Sequence, residues 1–198
     1  MGDFFRYLFL LQICMGASLF GLSLKSSIFE NQSEVSCEYA CCGRGVSPEL
    51  SWTDSPENTA SFALKITDQT TSEVYWFICN IPKETSHLSR NFNHEDLLLD
   101  GILEGVNDFG GVGYKPLCAP LGEKHFYIFD LFALDVTLGS QVVKDRLERE
   151  KQLKKHTIDH SQLNGFLQVP LHPTAPNSPL HDPRKKQDPN ALPNSSYP

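Results

Sequence analysis

A mainly β domain with helices late in the chain is the fold class that the sequence predicts, on three observations. Phe126 to Leu134 (FYIFDLFAL) carries one charge in nine residues, a run short and aromatic enough for a central strand buried on both faces. Phe62, Leu64 and Ile66 alternate with Ala63, Lys65 and Thr67, the period of two expected of a half-buried strand. Helical signals begin only after Asp135, and strands followed by helices imply a sheet with helices packed at one side.

The elements follow in order. Residues 1–24 are expected to be a signal peptide or N-terminal apolar segment. Arg6 precedes the apolar run Tyr7–Leu24, and Gly21-Leu22-Ser23 suits a cleavage site. The chain is therefore expected to be periplasmic or secreted, with a membrane anchor or a packed segment of a cytoplasmic protein as alternatives. Export would allow Cys37, Cys41, Cys42, Cys79 and Cys118 to pair. Five is odd, so one thiol is left free or bonds between chains. Cys37 with Cys41 or Cys42 is a plausible local bridge, and the rest of the connectivity stays open.

Residues 25–169 form the expected domain. Val74 to Pro82 (VYWFICNIP) predicts a second apolar strand that Pro82 ends. Lys83 to Glu104 is expected to be an excursion loop with a strand at its end. Ser140 is the expected cap of a helix running to about Lys155, with Val143, Leu147 and Leu153 as its apolar stripe. A second short helix is expected around Ile158 and Leu163, stopped by Gly165. Residues 170–198 are polar and punctuated by prolines, which predicts a disordered tail able to recruit a partner.

Charge narrows the function. The formal net charge is −7 and the pI about 5.4, and no basic cluster outweighs the acid, so a nucleic-acid surface is excluded. The charge-dense stretch KDRLEREKQLKK, Lys144 to Lys155, is mixed in sign and reads as a solvated helix face.

The chemistry gathers where the glycine-rich loop from Gly105 meets the long apolar strand. His125, Tyr127 and Phe129 share one strand face and Phe126, Ile128 and Asp130 the other. An imidazole and a phenol thus emerge together from a rigid strand, as a binding site or as a satisfied core pair. Cys118 close to His125 also invites a cysteine–histidine nucleophile with Asp68 as orienter, although the chain is expected not to be an enzyme. Metal and cofactor are not expected: Cys37, Cys41 and Cys42 lack a second pair at zinc-ribbon spacing, and His94, His156 and His160 are unlinked. Trp52 and Trp76 are expected in the core.

The motifs SPELSW, SFALKITD, YWFICNIP, NDFGGVGY, CAP, HFY and FALD stand in that order between Ser47 and Asp135. In order and spacing they resemble the phosphatidylethanolamine-binding protein family, and more closely its bacterial and archaeal branch of Raf-kinase-inhibitor-like proteins. The resemblance reaches Phe166, where the family's closing GH and G-x-Y become Lys155-His156 and Gly165-Phe166. It implies a large antiparallel sheet packed on a smaller one, C-terminal helices, and a small pocket at one end of the sheet for phosphate-like anions or phospholipid headgroups. A homodimer and a protein partner are also implied.

Carried over position by position, the pocket residues are Asp68, Tyr75, Tyr114, Pro116, His125 and Tyr127. Departures affect several of these places. Thr70 replaces the second aspartate of the family's DPDAP, Tyr75 the histidine of HW, Pro116 a glycine and Phe126 the arginine of HRY. One carboxylate and one imidazole remain where the family has two of each. Asp68 beside His125 would favour the protonated imidazole. The expected function is therefore a non-catalytic binding protein with a weakened anion pocket. The alternative is a kinase- or protease-inhibitor type of interaction module with a vestigial one.

Overall fold

The computed structural model describes residues 21–92 and 101–170. The expected tail beyond Pro170, most of the expected N-terminal segment, His94 and part of the excursion loop lie outside them. Leu22 and Leu24, at the end of that N-terminal segment, are buried in the domain.

Among the described residues nine strands form two sheets, as the family resemblance implied. The small sheet is β1 (Ser23–Lys25), β3 (Leu50–Thr53) and β6 (His87–Leu88), in the order β1-β3-β6. The large sheet holds β2 (Ser33–Glu34), β4 (Ser61–Asp68), β5 (Glu73–Pro82), β7 (Leu103–Glu104), β8 (Lys124–Leu134) and β9 (Thr157–Gln168). Its order is β2-β9-β8-β4-β5-β7, antiparallel throughout except for the parallel β2–β9 edge. The FYIFDLFAL run thus lies on β8, with β4 on one side and β9 on the other.

Strands β4 and β5 and the second half of β8 are buried on both faces, which explains why they read as near-continuous apolar runs. Against the small sheet pack Phe62, Leu64, Ile66, Trp76, Ile78, Phe129 and Leu131, with Leu24, Leu50, Trp52 and Leu88 opposite. Trp52 meets Phe62 edge-on at 5.4 Å. Ala63, Phe77, Cys79 and Leu134 face the other way, onto Leu138, Val142 and Leu153. At about 1.5–3 kcal/mol per buried large apolar side chain, the inter-sheet core outweighs the helical side. Strand β4, expected to be half-buried, is instead buried almost throughout because helix-side residues cover its second face, and only Lys65 and Thr67 are partly exposed.

The late part of the chain differs from expectation in two places. Ser140 begins a short 3-10 turn, Ser140–Val143, and the single α-helix of the described residues, α1, starts only at Arg146 and ends at His156. Its cap is Asp145, whose carboxylate accepts from the amides of Leu147 and Glu148. Asp145 with Glu148 three residues on is an acidic variant of the capping-box pattern, and it outcompetes a serine preceded by Gly139. Leu147 is exposed, and Arg149 takes its expected place inside. The Arg149 guanidinium lies 4.4 Å from the Phe77 ring centre, and its Nε donates to the Val142 carbonyl.

The second short helix does not form. Residues 157–168 are β9, paired along β8 from Lys124↔Gln168 to Leu134↔Thr157. Leu163, Gly165 and Leu167 alternate inward, so tertiary pairing overrides a weak local preference. Gly165 is not a helix stop. A Cβ there would sit 2.6 Å from Val35 Cγ2 and 3.0 Å from the Phe29 ring, so β2 can approach β9 only because that side chain is missing.

Candidate functional site

The site is built where β4 ends, β5 begins and β8 starts. Asp68 closes β4 and stands opposite Tyr127 in register. His125, two residues before Tyr127 on the same strand face, reaches the Asp68 carboxylate diagonally. Its Nδ1 donates to Asp68 Oδ2 at 2.6 Å. Asp68 Oδ1 meanwhile accepts from the amide of Thr70 at 2.8 Å and, more weakly, of Thr71 at 3.4 Å. One fully buried carboxylate therefore shapes the β4–β5 turn and fixes the imidazole, and its acceptor role places the Nδ1 proton on the histidine. Thr70, where the family has a second aspartate, accepts instead from the Phe126 amide.

Tyr75 arrives by a register shift. Ile66 pairs with Trp76 and Thr67 with Val74, so Tyr75 is an extra residue on β5, a bulge of the kind that re-aims a side chain beside a site. Tyr75 and Trp76 both join the inter-sheet core. The Tyr75 ring meets Tyr127 edge-on at 5.4 Å and Phe109 at 4.9 Å. Its hydroxyl lies 3.5 Å from the Cys118 carbonyl, at the long end of hydrogen-bond range. The Tyr127 hydroxyl is committed: it donates to the Cys118 carbonyl at 2.7 Å and accepts from the Cys118 amide at 3.0 Å. Burial, and then the Asp68 charge, push the Tyr75 phenol up to about 12. Burial, followed by the neighbouring Tyr75, drives Tyr127 upward as well. Both phenols are therefore neutral donors at any physiological pH.

The remaining expected residues lie one step away. Tyr114 donates to the Tyr39 carbonyl at 2.6 Å and packs edge-on against Trp76. Pro116 lies against Gly45, where a Cβ would come within 2.7 Å of its Cγ. Both brace the loop that presents Cys118. The disulfide Cys41–Cys118 ties that loop to the N-terminal cysteine turn, Cys37–Cys42 closes the turn on itself, and Cys79 stays free and buried. Cys118 therefore offers no thiolate, which removes the cysteine–histidine nucleophile. His156 pairs with Asp135 and His160 with Asp130. Among the described residues no group of histidine, cysteine and acidic side chains is arranged to hold a metal ion.

Glu123 was missed by sequence reasoning. Its Oε2 lies 3.6 Å from His125 Nε2, the ring nitrogen that Asp68 leaves unused. The signal was present, because residues two apart on an extended chain point the same way. Phe109, folded over Tyr75, carried no comparable signal, since loop geometry brings it there.

Comparison with known proteins agrees with this architecture. The family model for phosphatidylethanolamine-binding protein matches residues 25–168. A UPF0098 protein of Methanothermobacter thermautotrophicus is 33% identical over 148 residues, covering 73% of this chain and 97% of that one. One from Aquifex aeolicus is 38% identical over 146 residues, 71% of this chain and 85% of its own. Among solved structures, Escherichia coli YbcL, described as a member of the mammalian PEBP family, superposes with a TM-score of 0.66 at 25% identity, over 76% of this chain and 99% of YbcL. The phosphatidylethanolamine-binding protein homologue CT736 of Chlamydia trachomatis gives 0.65 at 26% identity, over 74% and 96%. The chain therefore belongs to the phosphatidylethanolamine-binding protein family and is a binding-type protein.

Proposed function

We propose that the corner formed by Asp68, His125, Tyr75 and Tyr127 accepts a small phosphate-like group, free or as a lipid headgroup, and does so weakly. The observation that carries this is the buried Asp68–His125 hydrogen bond of 2.6 Å, which leaves Nε2 as the ring's second nitrogen, a donor to an anion when the imidazole is protonated. An anion needs converging donors, and here the ring offers one, which carries charge only while the imidazole is protonated. Affinity is then millimolar or poorer, about −4 kcal/mol or less favourable. In this reading the chain works by binding, and the Cys118 sulfur, held by Cys41, is not available as a nucleophile beside the imidazole.

Calorimetric titration with inorganic phosphate and with phosphoethanolamine tests this. Weak saturable binding that His125→Gln removes is the expected result, and micromolar affinity or indifference to His125 refutes it. We also place the protein in an oxidising compartment, reached through the segment 1–24. The two disulfides support this. Intact mass before and after reduction, measured on protein recovered from the secretory or periplasmic fraction, checks it by a shift of four hydrogens for the two bonds.

A further inference from the structure

We infer that Glu123 is a tethered competitor for the anion site, a built-in carboxylate that occupies the place an incoming phosphate oxygen would take. The inference rests on the anion reading of the His125 corner and names the residue that sets its strength. His125 has two ring nitrogens. Nδ1 is taken by Asp68 at 2.6 Å, and Nε2 faces Glu123 Oε2 at 3.6 Å. An anion that accepts from Nε2 must therefore displace the Glu123 carboxylate or share the space with it, and two negative charges at that range repel.

The backbone beneath Glu123 is fixed. Glu123 N–H donates to the Pro120 carbonyl at 3.0 Å, closing a turn in which Gly122 adopts a φ of +82°, a conformation that favours glycine. Gly122 N–H in turn donates to the Val169 carbonyl at 2.7 Å, pinning the turn to the end of β9. The side chain itself is 63% exposed and little packed. A rigid base with a free carboxylate gives a high local concentration of a weak ligand, which a dissolved anion must exceed. The carboxylate can also swing into solvent, so the site is restrained without being sealed.

The test is phosphate titration of four full-length proteins: the parent, Glu123→Gln, Glu123→Asp and Glu123→Gln with His125→Gln. Removing one unit charge beside the site should tighten phosphate binding by about tenfold or more. Glu123→Asp, which withdraws the carboxylate by one methylene, should gain less. The added His125→Gln should abolish the gain. Should that double variant fold poorly by near-UV circular dichroism, Glu123→Gln with Tyr75→Phe replaces it, losing one donor and part of the gain. Parent protein that binds phosphate while Glu123→Gln binds it no better overturns the role of Glu123 and leaves the anion reading standing. Absence of binding in both overturns the anion reading and this inference with it. A gain that survives loss of His125 places it at another site and also overturns the inference.

Discussion

Two aspartate–histidine pairs share strand β8 and face opposite ways. Asp68–His125, at 2.6 Å, lies on the face turned towards the small sheet. Asp130–His160, at 2.8 Å, lies on the other face, where Asp130 also accepts from Gln162 and the His160 ring stacks on Phe132. The chemistry is the same and the setting differs. His125 is 8% exposed and its aspartate not at all, whereas His160 is 36% exposed. Asp130 is itself only 10% exposed, so water reaches the second pair through the His160 ring and barely reaches the first. The buried pair is thus a fixed scaffold that presents one ring nitrogen, and the exposed pair is a cross-strand contact that solvent can replace.

The comparison breaks most sharply at its buried member. Asp68→Ala strands His125 and the Thr70 amide without their acceptor, and should destabilise the fold by roughly 3–5 kcal/mol; urea denaturation measures it. A loss no greater than that of Asp130→Ala would erase the distinction. Next comes the disulfide that holds Cys118 against Tyr127. Replacing Cys41 and Cys118 together by alanine frees a loop of 77 residues and should cost about 2–4 kcal/mol. Amide exchange should then rise around residues 114–118 while the strand pairing about Asp130 stays protected.

Alkaline pH probes the phenols beside the buried pair. The Tyr75 phenol has an ordinary value of 10.0 and is raised to about 12 in the folded chain, so above pH 10 the unfolded state releases a proton that the folded state retains. Stability is therefore whole below pH about 10 and falls as pH rises towards 12, with Tyr127 and Tyr114, raised in the same direction, adding to the loss. Denaturation followed across that range, with tyrosinate absorbance alongside, checks the sign. The smallest effect belongs to the exposed pair: Asp130→Ala should cost roughly 1 kcal/mol and His160→Gln about 0.5 kcal/mol or less.

How far the sequence foretold all this varies by element. The β8 run was legible because a strand flanked on both sides and packed on both faces from Phe129 onward has to be apolar there, although Phe126 at its start is exposed. His125 and Tyr127 were legible as neighbours because alternation on a strand is geometric. Asp68 entered through the family resemblance, since nothing local links residues 57 positions apart. β9 was illegible: its polar residues face solvent or its neighbours, and its pairing with β8 is made by tertiary contact. Gly165 misled for a related reason, because a missing side chain marks a helix end and a close approach alike. The bulge at Tyr75 and the Cys41–Cys118 bond depend on register and long-range closure, which composition and periodicity do not encode.

The central claim is that Nε2 of His125 is a binding donor and that the imidazole of His160 is not. Nitrogen–proton correlation spectra of the histidine rings during a phosphate titration test it within one sample. The account predicts that the His125 signals move and saturate in the millimolar range while those of His160 stay still. Movement of both by equal amounts, or of His160 alone, would contradict it.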